Sequence, residues 1–301
     1  MKVLDVRILV MARAVVEAAE ALLDQEIKVL DKGFVRLVDY MGGDDRIVQS
    51  ARVSYGSGTK SFRQDRGLIH YLLRNEHTSP FEQVILTFHT KMPIFVARQW
   101  VRHRTARLNE ISGRYSIMKD EFYIPESDQM RVQSENNKQA RGDETLPDAE
   151  VKALLAEMES DQRQVYSHYE GMIEKGLARE IARANLPLSL YTEWYWQIDL
   201  HNLFRFLRLR MDSHAQYEIR VYADAMAECA RAVAPIAYEA FEQHILGSVR
   251  LSRAECIALQ SMLSGKEHGL TGRAANIFDE KLTAIREATP IEEPDEPKIP
   301  V

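Results

Sequence analysis

Two cysteines, Cys229 and Cys256, are all that this chain of 301 residues contains. They are too few for a disulfide framework and neither sits in a Cys-x-x-Cys pair, which suggests a reducing compartment. No apolar run approaches the ~20 residues that a membrane span requires. The first sixteen residues are apolar enough to raise a signal peptide, but Asp5, Arg7 and Arg13 interrupt them and no clean cleavage site follows. Also missing are a His-Glu-x-x-His word and any regular His/Cys ligand spacing, so His70, His77 and His89 do not read as a zinc site. A glycine-rich dinucleotide fingerprint is absent too, which argues against a nucleotide held in Rossmann fashion. Positive charge is not in surplus: 39 Lys and Arg face 45 Asp and Glu, for a net charge of −6. A general nucleic-acid binder leans on released counterions and would need the opposite balance. With 45% hydrophobic residues the chain can bury a sizeable core, and a cytoplasmic enzyme without membrane or nucleic-acid partners is the expectation.

Against this acidic background, positive charge is concentrated in one place. Between Arg98 and Arg114 the chain carries Arg98, Arg102, Arg104, Arg107, Arg114 and His103 around one acid, Glu110. Guanidinium forks match phosphate oxygens two bonds at a time and stay charged at any working pH. Ser112-Gly113 adds a hydroxyl and unshielded backbone N–H groups of the kind that cradle an anion. The bland alternative is a solvated basic helix face, but such faces do not usually interleave Asn, Glu, Ser and Gly with their arginines.

Local patterns outline an α/β (α+β) chain, a mixed sheet packed with long helices. Residues 2–24 read as an amphipathic helix, with Leu9, Ala12, Val16, Ala19 and Leu23 at helical spacing. Ile27–Leu30 and Phe34–Tyr40 alternate across Asp31-Lys32-Gly33 as a hairpin. Helices are expected over 45–53, 62–75, 94–102, 150–176, 178–184, 200–210 and 216–245, and strands over 84–90 and 122–124. On the helix that opens after Pro93, Gln99, Arg98 and Arg102 would look the same way. Residues 126–149 read as a polar surface loop. Ser252 and Glu255 form a capping-box start, and the proline-rich acidic end, 289–301, is expected to be disordered. The divisions are a helical extension over 1–26, a catalytic region over 27–249, and a C-terminal helical extension with its tail over 250–301.

A nucleotide-like substrate would need phosphate donors, and Arg102, Ser112, Gly113 and Arg114 supply them. Its planar base would need polar partners, for which Gln99, Arg183 and Arg210 are of the right type. Arg210 sits among Leu203, Phe206, Leu207 and Leu209, and a buried arginine requires a polar or anionic partner. Neither cysteine has the electropositive setting of an activated thiolate. Nothing resembling a Ser–His–Asp arrangement activates Ser112. His214 reads equally as a satisfied buried histidine or as a support for neighbouring residues, while His168 and His268 read as surface residues.

Arg102-His103-Arg104 followed after seven residues by Ser112 resembles the signature of the flavin-dependent thymidylate synthases. Other words agree in the same order: Ser79-Pro80-Phe81-Glu82, Phe95-Val96-Ala97-Arg98-Gln99-Trp100, Leu186-Pro187-Leu188, Leu207-Arg208-Leu209-Arg210, and Asp212-Ser213-His214-Ala215-Gln216. The resemblance runs from about Ile27 to about His244 and implies reductive methylation of dUMP to dTMP. FAD would be the cofactor, reduced by NADPH, with methylenetetrahydrofolate giving the carbon. It places dUMP on Gln99, Arg102, Glu110, Ile111, Ser112, Gly113, Arg114, Arg183 and Arg210, with Arg210 polarising the ring. It places FAD on His77, Ser79, Arg102, His103, Arg104, Glu110, Asp199, His201 and Arg205. At the last three positions this chain departs from members that carry Asn, Arg and Asn. The resemblance also implies a homotetramer with active sites shared between subunits. The competing class is a non-catalytic nucleotide- or RNA-binding module that grips a backbone with the arginine run; a metal phosphohydrolase acting on nucleotides is a third.

Overall fold

A computed structural model describes residues 15–53, 62–134 and 140–289. Of the expected N-terminal helix, residues 1–14 lie outside the described residues. Within them only Glu17–Glu20 (α1) is helical. Asp24 then adopts a left-handed φ of 58°, which a helix cannot continue through, and its amide binds the Leu37 carbonyl at 2.9 Å.

The predicted hairpin is present as β1 (Glu26–Val29) and β2 (Gly33–Met41). Next come α2 (Asp44–Ala51), α3 (Phe62–Arg74), β3 (Ile85–Pro93), α4 (Ile94–Trp100) and β4 (Arg107–Glu110). The region read as a structureless loop over 126–149 instead holds a small hairpin, β5 (Arg131–Gln133) against β6 (Arg141–Thr145). The strand expected at 122–124 is reduced to one bridge, Phe122 to Leu190. After the long α5 (Asp148–Glu174) and short α6 (Arg179–Ala182) comes β7 (Tyr191–Asp199), a strand the sequence reading left without an element. It is followed by α7 (Leu200–Arg210), α8 (Tyr217–Val233), α9 (Pro235–Phe241), α10 (Arg253–Leu263) and α11 (Gly272–Glu287).

The main sheet is antiparallel in the order β1-β2-β3-β7-β4. Strand β7 therefore carries the arginine run's own strand, β4, on its outer side, with Glu110 opposite Trp194. Alternation drives it: Thr192, Trp194, Trp196 and Ile198 are buried while Tyr195 is exposed, the period-two pattern of a half-buried strand. Under the sheet, Trp100 packs on Phe206 at 5.1 Å and edge-on to Trp194 and Trp196 at 5.4 Å each. Such rings each remove roughly 150–250 Å² from water. They make a rigid floor directly beneath the residues that follow Trp100.

The helix expected over 216–245 is broken at Pro235, which has no N–H to give. Ala234 before it is pushed to φ −141°, ψ 74°, as sterics before proline require. The Asp44 carboxylate accepts the Ile236 and Ala237 amides at 2.9 Å each and so caps the new start. Burial raises the Asp44 carboxyl to about 6. A π turn, Glu242–Leu246, ends this segment. The capping box at Ser252 is present: its hydroxyl accepts the Glu255 amide at 3.4 Å, and the Glu255 carboxylate accepts the Ser252 amide at 2.6 Å. Of the tail expected to be disordered, residues 290–301 lie outside the described residues.

Candidate active site

The arginine run is not a helix face. Helix α4 stops at Trp100, and the His103 amide closes a turn on the Trp100 carbonyl at 2.9 Å. Arg102 therefore lies beyond the helix, in the turn that follows it and not on the helix expected to reach it. Arg102 and Arg104 occupy the turn, Arg107 lies on edge strand β4, and Arg114 lies in the loop after it. Among the described residues Arg98, Arg102, Arg104 and Arg107 are all exposed and make no hydrogen bond or ion pair. Unpaired guanidiniums on the end of α4, the turn after it and the edge strand can accept a polyanion without first breaking internal contacts.

His103 behaves differently from its neighbours. Its ring stands edge-on to Phe206 at 4.8 Å, and its Nε2 accepts a hydrogen bond from Arg210 Nε at 3.0 Å. Burial first, then the Arg210 and Arg205 charges, lower its pKa to about 4. A ring that accepts at Nε2 and stays neutral must carry its proton on Nδ1. The middle residue of Arg102-His103-Arg104 is thus an uncharged donor between two cations.

Arg210, at the end of α7, is half-buried and uses a second donor, Nη2, on the Gln99 carbonyl at 3.1 Å. Its predicted need for a polar partner is met by a histidine and a carbonyl, not by an anion. The Gln99 side-chain amide in turn donates to the Gln216 side-chain oxygen, Oε1. Gln216 Nε2 donates to Glu218 at 2.8 Å, and buried Glu218 also accepts Tyr123 Oη at 3.0 Å and pairs with Arg141. A carboxylate only accepts, so this chain orients both amides and leaves Gln99 Oε1 as the outward acceptor.

A second group gathers around the loop after β4. Glu110 is held by the buried Thr192 hydroxyl at 2.6 Å, and the Ile111 amide binds the Glu193 carbonyl at 2.9 Å. Ser112 receives the amides of Tyr115 and Ser116 on its carbonyl and that of Arg114 on its hydroxyl at 3.3 Å. Gly113 is buried, and a Cβ there would stand 3.0 Å from both Arg183 Cδ and Met118 Sδ. That contact sets the Arg183 side chain, exposed and without a hydrogen bond or ion pair among the described residues, beside the Ser112-Gly113 turn. Arg114 meets Glu180 at 3.4 Å, both more than half exposed. Among the described residues no hydrogen bond or ion pair joins this group to Gln99, His103 or Arg210.

The remaining expected flavin contacts divide. Asp199 accepts the Asn202 amide and side chain at 2.9 and 2.8 Å; it caps α7. His201 and Arg205 follow on that helix, Arg205 close enough to bias His103. His77 and Ser79 are exposed in the turn after α3, with the His77 ring edge-on to Tyr71 at 5.9 Å. Sequence reasoning missed Thr192 and Glu218, which position other residues; Thr192 was hidden with the unrecognised strand. Of the cysteines, Cys229 is buried with its thiol pushed up to about 12, and Cys256 is exposed.

A family model described as thymidylate synthase complementing protein matches residues 36–236, and one described as thymidylate synthase ThyX C-terminal domain matches residues 249–288. A flavin-dependent thymidylate synthase of Treponema denticola is 58% identical over 265 residues, covering 88% of this chain and 100% of its own length. The chain belongs to the flavin-dependent thymidylate synthase family. A relative of the same name from Wolbachia pipientis is 52% identical over 265 residues, covering 88% of this chain and 92% of its own. Among solved structures, a UMP/dUMP methylase PolB from Streptomyces cacaoi bound with 5-Br dUMP superposes with a TM-score of 0.66 at 32% identity, covering 72% of this chain and 97% of that one. The C-terminal match shows that the family likeness continues past His244, where the sequence reading ended it, through α10 and α11. A synthase of this family is a methyltransferase that works with a flavin, and the donor chemistry here suits FAD: unpaired guanidiniums for its diphosphate beside a neutral histidine donor.

Proposed function

We propose that the chain methylates dUMP to dTMP, with methylenetetrahydrofolate as carbon source and NADPH as reductant, in the cytoplasm. No helix of the described residues is long and apolar enough to cross a membrane. When bound, FAD supplies the hydride chemistry that completes the methyl group. The observation that carries the reading is the pair of donor groups just described, on a chain of this family. Ser112, Gly113, Arg114 and Arg183 take the nucleotide phosphate, with Glu110 and Ile111 setting the loop. Gln99 Oε1 and the Arg210 guanidinium face the base, where Arg210 withdraws charge from the ring. Arg102, His103 and Arg104, with Glu110, Arg205, His201, Asp199, His77 and Ser79, take the flavin; Asp199 does so as the residue that sets the start of α7.

The reading includes a site completed across subunits of a homotetramer; among the described residues no hydrogen bond joins the two donor groups. Exposed Leu108, Ile111, Tyr115 and Ile117, on and after the edge strand, give a partner subunit an apolar strip to cover. The test is flavin oxidation dependent on dUMP and methylenetetrahydrofolate, followed at the ~450 nm band of a bound flavin and by dTMP formation, with UMP as a parallel substrate. A protein that never binds flavin would overturn the reading in favour of a nucleotide- or RNA-binding module.

A further inference from the structure

Next to Arg210, an open cleft of about 840 Å³ runs between the end of α3, the turn from α7 to α8, and the π turn after α9. Four arginines from three stretches of chain line it: Arg74, then Arg208 and Arg210 at the end of α7, then Arg250. Two acids also line it, and each is already engaged. Glu76 pairs with Arg250 at 3.5 Å, and Asp212 accepts the His214 amide and ring at 2.8 Å. Arg208 is exposed and makes no hydrogen bond or ion pair among the described residues. Between these charges lie Leu73, Met211, Ile245 and Leu246. The lining combines apolar side chains with arginines, at a size typical of sites that bury a ligand of drug-like dimensions.

We infer that this cleft is the subsite for the anionic end of a co-substrate: a molecule with a flat ring and a terminal carboxylate or phosphate. The inference rests on the proposed synthase reading, in which two co-substrates of that chemistry must approach the flavin and dUMP. Arg210 belongs to both places, so an anion seated here lies beside the Gln99–His103–Arg210 knot. Arg250 falls in the second matched segment and Arg208 in the first, and the cleft is where the two segments meet. This gives the C-terminal segment a task in binding that it had lacked.

The test uses full-length Arg208→Gln and Arg250→Gln, singly and together. Both side chains are exposed, so folding is expected to survive, and thermal melting checks it. Each lost charge-assisted contact weakens binding roughly tenfold or more. The double variant should raise KM for one co-substrate by about ten- to a hundredfold while the dUMP KM stays put. If the anion is the carboxylate tail of the folate, the rise will be larger for a polyglutamylated than for a monoglutamylated form. If it is the phosphate of the reductant, the preference for NADPH over NADH will collapse instead. Unchanged KM values for both co-substrates in an active double variant overturn the proposal. Should the wild type prove inactive, calorimetric titration with NADPH and with polyglutamylated folate decides: tenfold weaker binding by the double variant sustains the cleft, and equal binding overturns it, whatever becomes of the synthase reading.

Discussion

Replacing Arg210 by alanine should release His103 from its neutral state. Three influences hold that ring at about 4: burial, then the positive charge of Arg210, then that of Arg205. The substitution removes the second and also the 3.0 Å hydrogen bond that occupies Nε2. Two unit charges 4 Å apart interact by about 1 kcal/mol in water and about 4 kcal/mol at the effective dielectric of a protein surface. The pair is half-exposed, so the lower end applies, and about 1.4 kcal/mol is one pKa unit. His103 should therefore rise by roughly one unit and stay below an ordinary histidine, because burial against Phe206 is untouched. Two-dimensional NMR of the imidazole carbons, titrated from pH 7.5 to 4 and assigned with a His103→Gln variant, reads this directly. A wild-type His103 that titrates near the usual ~6.5 would refute the neutral-donor argument. So would an Arg210→Ala protein in which the ring does not move.

Arg114→Ala should weaken dUMP binding about ten- to a hundredfold and deoxyuridine binding little; equal losses measured by calorimetry would remove Arg114 from the phosphate. The double variant Cys229→Ser, Cys256→Ser should fold and keep most of its turnover, since one thiol is buried and pushed up to about 12; a folded, ligand-binding protein that makes no dTMP would show that a thiol is needed. His70, buried and held at about 4 among Glu239, His244, Arg66 and Arg74, binds its proton less readily folded than unfolded. Stability should thus fall as pH drops from about 6.5 to about 4, by at most ~3 kcal/mol, and His70→Gln should flatten that slope in urea melts; an unaltered slope would clear His70. Finally, His77→Ala and Arg210→Ala proteins, each inactive alone, should regain dTMP formation when refolded together into mixed oligomers; activity no greater than the sum of the parents would place both residues in one subunit's site.

Much of this could be seen in the residues before any coordinates. The hairpin at Asp31-Lys32-Gly33, the helix after Pro93, α7 and the Ser252 capping box are all encoded within a few residues, by turn chemistry, proline and periodicity. The failures have physical causes as well. Tyr191–Asp199 alternates buried and outward side chains, but its four aromatic rings and flanking Leu-rich words blur the period. Its role as the strand between β3 and β4 depends on pairing with residues a hundred positions away. Pro235 did signal a break, and the long apolar stripe through Ala223, Met226, Ala230 and Val233 masked it. For the site, residue types were legible and partners were not. Nothing in the sequence says that His103 would be neutral, or that Asp199 would spend its carboxylate on the first turn of α7.

The network through Glu218 explains why words so far apart in the chain belong together. Arg141 enters from the β5–β6 hairpin, Glu218 and Gln216 from the start of α8, Gln99 from α4, and Arg210 from the end of α7. The side-chain links run as far as Gln99, and the backbone of α4 presents the carbonyl that meets Arg210. The buried carboxylate decides which way the Gln216 side-chain amide points, and that amide decides the Gln99 side-chain amide; separately, the Gln99 backbone carbonyl with His103 holds the Arg210 guanidinium. Arginine is long and flexible, and a donor that must meet one atom of a flat ring is useful only if its rotamers are already restricted. The Asp212–Gln216 word and the Arg102–Arg104 word are then two ends of one orienting device, joined across a floor of tryptophans. Arg98, Arg102, Arg104 and Arg107, by contrast, make no side-chain hydrogen bond or ion pair among the described residues, as suits groups proposed to grip a flexible phosphate. On the proposed reading the chain divides two tasks: the held Arg210 and His103 serve the ring where chemistry occurs, and the loose arginines of the basic stretch serve the charges that bring it there.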